Sequence, residues 1–84
     1  MKKVTIYSTR ICPYCVRAKN FFEKKEIPYE DIMVDQDPEQ LQTMMEKSQR
    51  QSVPQIFIGE YHVGGFDDLI EHDMDGKLED LLKD

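Results

Sequence analysis

The two cysteines of this chain, Cys12 and Cys15, are separated only by Pro13 and Tyr14. They lie between a short β-prone run, residues 4–7, and a segment in which apolar residues recur at helical spacing. A sulfur at the start of a helix lies near backbone N–H groups without intrahelical partners, at the positive end of the helix dipole. Both favour the thiolate, which is the nucleophile in thiol–disulfide exchange. The pair therefore predicts redox chemistry, with Cys12 exposed at the helix cap, its thiol pKa lowered, and Cys15 one turn further in, facing the core.

The pattern of apolar residues and turn residues predicts the elements that position this pair. We expect strands at residues 3–7, 29–34, 55–58 and 61–63, and helices at 13–25, from 38 onward, at 66–74 and around 78–82. This order, βαβ, then a helix, then ββα, predicts an α/β fold with a four-stranded mixed sheet flanked by helices. The first two strands should be parallel with a right-handed crossover, and the last two antiparallel. A CxxC pair in such a chain is typical of a thioredoxin-like redox site.

Length and charge limit the classes of function. The 84 residues suffice for a single domain spanning 1–84, and the net charge is -6. Residues 1–25, which contain the cysteines, nevertheless carry seven basic side chains and one acidic side chain, a distribution that favours an anionic partner there. The simpler interpretation is that Lys19, Lys24 and Lys25 form a solvated helix face. Nucleic-acid binding is not expected, because the chain is acidic overall and has no long basic stripe.

The sequence also bears on the compartment. No apolar run approaches the roughly 20 residues of a membrane-spanning helix, and the apolar run after Met1-Lys2-Lys3 is too short for a secretory signal. We therefore expect a cytoplasmic protein without a membrane partner. In that compartment two cysteines are more often catalytic or metal-binding than a permanent crosslink.

Three motifs, in this order, resemble those of the glutaredoxins, a branch of the thioredoxin-like fold. Cys-Pro-Tyr-Cys at 12–15 matches the dithiol active site of that family, and Ser-Val-Pro at 52–54 is similar to its Thr-Val-Pro segment. Gly-Gly-Phe-Asp-Asp at 64–68 is similar to its Gly-Gly-x-Asp-Asp turn. The resemblance covers about residues 3–83.

This resemblance implies a glutathione-dependent thiol–disulfide oxidoreductase. Cys12 would be the nucleophile that reduces glutathione mixed disulfides and protein disulfides, and Cys15 would be the resolving thiol. Glutathione is then the co-substrate and no metal is expected. We expect a monomer whose partners are glutathione and glutathionylated or disulfide-containing proteins.

The resemblance also implies a glutathione site. The Val53–Pro54 peptide bond would be cis and lie opposite the reactive sulfur, with extended Val53 pairing with the glutathione backbone. The helix start at Gly65 would bind the γ-glutamyl carboxylate, and Asp67 its ammonium group. The full set of expected glutathione-binding residues is Arg10, Tyr14, Ser52, Val53, Pro54, Gly65, Phe66 and Asp67.

The chain departs from the family pattern at two positions. Thr9 stands where many members have a lysine, and Arg10 follows it directly. Leu41 stands on the second helix, where members often have a polar or basic residue that binds the glycine carboxylate of glutathione. Gln40 and Gln42 flank Leu41. How the glycine carboxylate is held therefore stays open at the level of the sequence.

Two other functions compete with this one. A redoxin of similar size recharged by a flavoprotein reductase would lack the γ-glutamyl-binding acid, so Asp67 argues against it. A metal or iron–sulfur cluster module is the second alternative, but Cys12 and Cys15 supply only half of a four-thiolate zinc site. Related proteins that bridge a dimer with an iron–sulfur cluster commonly have a single active-site cysteine or lack proline between the two, whereas this chain has Pro13. His62 and His72 are ten residues apart, outside the usual zinc-finger spacing.

Overall fold

The computed structural model describes residues 1–83, and its elements follow the predicted order. They are β1 (Val4–Ser8), α1 (Pro13–Lys24), β2 (Glu30–Met33), α2 (Pro38–Ser48), β3 (Gln55–Ile58), β4 (Tyr61–Gly64), α3 (Phe66–Met74) and α4 (Lys77–Leu82). The predicted α/β architecture, a four-stranded mixed sheet flanked by helices, is confirmed.

Local signals explain where the helices begin. Pro13 and Pro38 each occupy the first helical position, where a missing N–H costs no hydrogen bond. Asp37 caps α2 by accepting hydrogen bonds from the N–H groups of Glu39 and Gln40. Gly76 has a φ of 75°, which glycine adopts without strain, and it separates α3 from α4.

The sheet has the strand order β2-β1-β3-β4. β1 pairs parallel with β2 and antiparallel with β3, and β3 pairs antiparallel with β4. The alternation of side chains along β1 and β3 sends apolar residues to both faces, so each face has its own core. The first core lies under α1, α3 and α4 and includes Val4, Ile6, Ala18, Phe22, Ile56, Ile58, Leu69, Leu78 and Leu82. The second lies under α2 and consists of Tyr7, Val34, Met44 and Phe57.

The strand register brings three distant chain segments to one edge of the sheet. Tyr7, near the end of β1, pairs with Gln55 at the start of β3. Ile56 in turn pairs with Gly64 at the end of β4. The loop before α1, the segment before β3 and the turn before α3 therefore meet at this edge.

Candidate active site

Cys12 is the N-terminal cap of α1. Its backbone is extended, with φ of -154° and ψ of 98°, and its carbonyl accepts the Val16 N–H at 3.1 Å. Its sulfur accepts the Cys15 N–H at 3.1 Å. The sulfur thus satisfies one of the helix N–H groups that has no intrahelical partner. A negative charge on this sulfur would be stabilised by the same N–H group and by the helix dipole.

Cys12 and Cys15 are joined by a disulfide. The two residues differ in exposure: Cys15 is fully buried, whereas Cys12 is half-buried and lies at the surface end of the helix. A partner approaching from solvent therefore reaches the sulfur of Cys12 first. The predicted difference between the two positions is present in the structure.

A groove with a volume of about 310 Å³ runs along the sheet edge. It is formed by the end of the CxxC segment, the segment before β3 and the start of α3. Its lining residues are Tyr14, Arg50, Ser52, Val53, Pro54, Gln55, Gly65, Phe66, Asp67 and Asp68. The three motifs that are far apart in the sequence thus form the walls of one groove.

The Val53–Pro54 peptide bond is cis, as the resemblance implied. The Val53 carbonyl oxygen lies 3.9 Å from the Cys12 sulfur. Val53 is therefore the groove residue whose backbone carbonyl lies next to the Cys12 sulfur.

The side chain of Gln55 anchors the segment that precedes β3. This side chain is buried, and its amide nitrogen donates to the Ser52 carbonyl at 3.0 Å. Its amide oxygen lies 2.7 Å from His62 Nε2, and the His62 ring stacks on Phe57 with centroids 4.8 Å apart. Burial lowers the pKa of His62, and the Arg50 charge lowers it further. The His62 ring and the buried Gln55 amide therefore hold the segment before β3 in place.

Asp68 organises the start of α3. Its Oδ2 accepts the Gly65 N–H at 2.9 Å and lies 3.1 Å from Arg50 Nη1. The Gly65 hydrogen bond is the main cause that lowers the pKa of this carboxyl, and Arg50 adds to it against the opposing effect of burial. The N–H groups of Phe66 and Asp67 occupy first-turn positions that no intrahelical carbonyl can reach. These two N–H groups are available to an anion in the groove.

Of the predicted binding residues, all but one line this groove. The exception is Arg10, whose side chain lies 3.3 Å from Asp35, away from the groove lining. Leu41 packs into the second core, and Gln42 donates to Glu46 on the exposed side of α2. The structure thus brings none of these three side chains to the groove.

Arg50, Gln55 and Asp68 line the groove but are not among the binding residues predicted from the sequence. Arg50 lies four residues before Pro54, so a cation close to the Ser-Val-Pro motif was the available signal. Gln55 directly follows that motif, and Asp68 is the second acid of the Gly-Gly-Phe-Asp-Asp motif. Their orientations depend on contacts with other segments.

Two further observations concern residues 1–83 as a whole. No group of three or more His, Cys, Asp or Glu side chains within them is arranged to hold a metal ion. None of their helices is both long and apolar enough to cross a membrane.

Comparison with known proteins gives a consistent result. The glutaredoxin family model matches residues 4–63. A glutaredoxin from Pseudomonas aeruginosa is 45% identical over 82 residues, covering 98% of both chains. Glutaredoxin 3 from Escherichia coli is 41% identical over 83 residues, covering 99% of this chain and all of the relative.

Solved structures agree with the sequences. The solution structure of a glutaredoxin from Brucella melitensis superimposes with a TM-score of 0.85 at 46% identity, covering 99% of this chain and 90% of that one. A crystal structure of a buckwheat glutaredoxin–glutathione complex gives a TM-score of 0.86 at 31% identity, covering 96% and 76%.

Proposed function

The chain belongs to the glutaredoxin family of glutathione-dependent thiol–disulfide oxidoreductases, and we propose that Cys12 is its nucleophile and Cys15 its resolving thiol. The observation that carries this assignment is the difference in solvent exposure between the two cysteines. Cys15 is fully buried, whereas Cys12 caps α1 at the surface, within 3.9 Å of the groove residue Val53. The flavoprotein-recharged redoxin and the cluster carrier are not favoured, since the relatives at this identity are glutaredoxins.

The proposed reaction is a sequence of thiol–disulfide exchanges. The Cys12 thiolate attacks the glutathione sulfur of a mixed disulfide, and the released substrate thiolate takes a proton. A glutathione thiolate then attacks the glutathione sulfur on Cys12, which forms glutathione disulfide and restores the Cys12 thiolate. For a protein disulfide, Cys12 forms a mixed disulfide with the substrate and Cys15 displaces the reduced substrate. Two glutathione molecules then reduce the resulting Cys12–Cys15 disulfide.

Glutathione is proposed to lie along the groove from Cys12 towards α3. Its peptide backbone pairs with the backbone of Val53 in an extended alignment. Its γ-glutamyl carboxylate binds the free N–H groups at the start of α3, Phe66 and Asp67, and the Asp67 side chain binds the ammonium group. Tyr14 covers the other side, where its ring lies 6.1 Å from that of Phe66.

Arg50 is proposed to hold the glycine carboxylate, the group for which the sequence left no clear partner. It lines the groove, and Asp68 fixes its guanidinium at one end. A guanidinium presents several N–H donors, so one can remain on Asp68 while others bind a second carboxylate. Ser52 contributes a hydroxyl at the groove wall. Arg10 is proposed to act only through its charge, because its side chain rests on Asp35.

The same proposal includes the oligomeric state, the protein substrates and the cellular compartment. Residues 1–84 act as one domain and as a monomer on glutathionylated and disulfide-containing proteins. The protein works in the cytoplasm, where a reduced glutathione pool recharges it.

The test is a glutathione-coupled assay, with glutathione reductase, on a small glutathione mixed disulfide. Cys12→Ser should abolish turnover, whereas Cys15→Ser should keep a substantial part of it, because external glutathione still regenerates Cys12. With a protein disulfide as the substrate, both variants should be inactive. Equal loss in both variants on the small substrate would contradict the assigned roles.

A further inference from the structure

A second groove, of about 300 Å³, lies between α1 and α3. It is lined by Arg17, Asn20, Phe21, Lys24 and Phe66. Phe66 lines both this groove and the proposed glutathione groove, so the two adjoin at that residue. We call the second one the α1 groove.

Among the residues that the structure describes, the two positive charges of the α1 groove have no carboxylate partner. In this part of the chain, six other lysine and arginine side chains make ion pairs with carboxylates, including Lys19 with Asp31 and Lys25 with Asp73. Within residues 1–83, neither Arg17 nor Lys24 pairs with a carboxylate, and both are exposed.

Aromatic rings adjoin these charges. The Arg17 guanidinium lies 5.0 Å from the centre of the Tyr14 ring. The half-buried rings of Phe21 and Phe66 form the apolar part of the lining. A ligand that carries negative charges beside an apolar side chain complements this combination.

The spacing of the charges indicates the shape of such a ligand. Arg17 and Lys24 are seven residues apart on one helix, which is two turns and about 10 Å along the axis. On a chain in the polyproline II conformation, carboxylates three residues apart lie on the same face and are separated by about 9 Å. Arg17 lies about 8 Å along the helix from Cys12, which corresponds to two or three residues of extended chain.

We propose that the α1 groove docks an acidic, extended segment of the protein substrate. This proposal rests on the proposed function, because the segment belongs to the polypeptide whose cysteine is part of the disulfide that Cys12 attacks. One acidic side chain, two or three residues from that cysteine, binds Arg17. A second, about three residues further on, binds Lys24. An apolar side chain between them contacts Phe21 and Phe66.

The experiment compares glutathionylated peptides that differ only at those two positions, which carry Glu, Gln or Lys. In the unsubstituted protein, kcat/KM for the Glu peptide should exceed that for the Gln peptide about three- to tenfold, as expected for two exposed ion pairs. The Lys peptide should be the poorest substrate. In the double variant Arg17→Gln/Lys24→Gln, the Glu-to-Gln ratio should approach one.

A matched control removes the same charge elsewhere. Lys2→Gln/Lys47→Gln should keep the full Glu-to-Gln ratio, because neither residue lines either groove. An equal loss in both double variants would mean that only the overall field of the protein acts, and would overturn the docking proposal. A ratio of one in the unsubstituted protein would overturn it as well. Failure on the small mixed disulfide would instead reject the proposed function.

Discussion

Arg50 and Asp68 form an ion pair that links two walls of the groove, with 3.1 Å between Nη1 and Oδ2. Arg50 belongs to the segment that leads into β3, and Asp68 lies in the first turn of α3. The same Asp68 oxygen accepts the Gly65 N–H. A single carboxylate oxygen therefore caps a helix and positions the cation that we assign to the glycine carboxylate.

Replacing Asp68 with Asn should weaken both roles. The free energy of unfolding at pH 7 should fall by about 1 kcal/mol, because Asn loses the negative charge that Arg50 and the N-terminus of α3 stabilise. KM for a glutathione mixed disulfide should rise severalfold, because Arg50 is no longer held. Urea denaturation and the coupled assay measure the two effects. Asp75→Asn is the control, because Asp75 lies at the other end of α3 and should change neither quantity appreciably.

The stability effect at Asp68 should depend on pH. Its pKa in the folded protein is lowered from the ordinary value of 3.8, so the unfolded chain binds the proton more readily. The contribution is therefore fully present above about pH 3.8 and is lost as the pH falls through the lowered pKa. Urea denaturation should give the same difference between the unsubstituted protein and Asp68→Asn at pH 7 and pH 5. A difference that vanished already at pH 5 would contradict this assignment.

His62 provides a second titration test. Its pKa is lowered from 6.5, first by burial and then by Arg50. NMR titration of the ring protons should give a pKa below 6.5, and Arg50→Gln should raise it. Because the folded state favours the neutral ring, the contribution of His62 to stability is complete above pH 6.5 and is lost as the pH falls through the lowered pKa. Lys47→Gln, which removes a charge on α2, should leave the titration unchanged.

The elements of this fold could be predicted because their signals are local. Pro13, Pro38 and Gly76 act on the backbone at their own positions, and each begins or ends an element as expected. The cap position of Cys12 follows from the proline after it. The groove residues on the three motifs could be named because the motifs flank elements whose ends must meet.

The side chains that the sequence missed depend on tertiary placement. Arg50 forms a hydrogen bond with Asp68, eighteen residues further along the sequence, and Arg10 forms one with Asp35, twenty-five residues further along. Gln55 reaches His62 only because β3 and β4 form a hairpin. No pattern within a single element determines which of several nearby acids a flexible cation contacts.

Gln55 should prove more important than its place outside the three motifs suggests. Gln55→Leu keeps a similar volume but leaves His62 Nε2 and the Ser52 carbonyl without their partner. The free energy of unfolding should fall by about 1–3 kcal/mol, and KM for the mixed disulfide should rise as the segment before β3 loosens. Gln51→Leu, at an exposed neighbouring position, is the control for both measurements. A KM unchanged by Gln55→Leu would mean that Gln55 does not position this segment.

The cap geometry at Cys12 predicts that, in the reduced protein, its thiol ionises at a lower pH than the thiol of free cysteine. The rate of iodoacetamide alkylation against pH should have its midpoint well below that of free cysteine, because the Cys15 N–H and the helix start stabilise the charge. Cys15→Ser isolates the reaction at Cys12 while keeping that backbone N–H. A midpoint equal to that of free cysteine would show that the cap does not activate the sulfur.

Asp67 should recognise the ammonium group of glutathione, and a modified substrate can separate this role from a general effect of charge. Asp67 is exposed and lines the groove, so Asp67→Asn should raise KM for a glutathione mixed disulfide about two- to fivefold through the loss of one charge pair. With a mixed disulfide of N-acetyl glutathione, which has no ammonium group, the unsubstituted protein and the variant should have similar KM values. If the variant were equally impaired on both substrates, Asp67 would act only by favouring the N-terminus of α3.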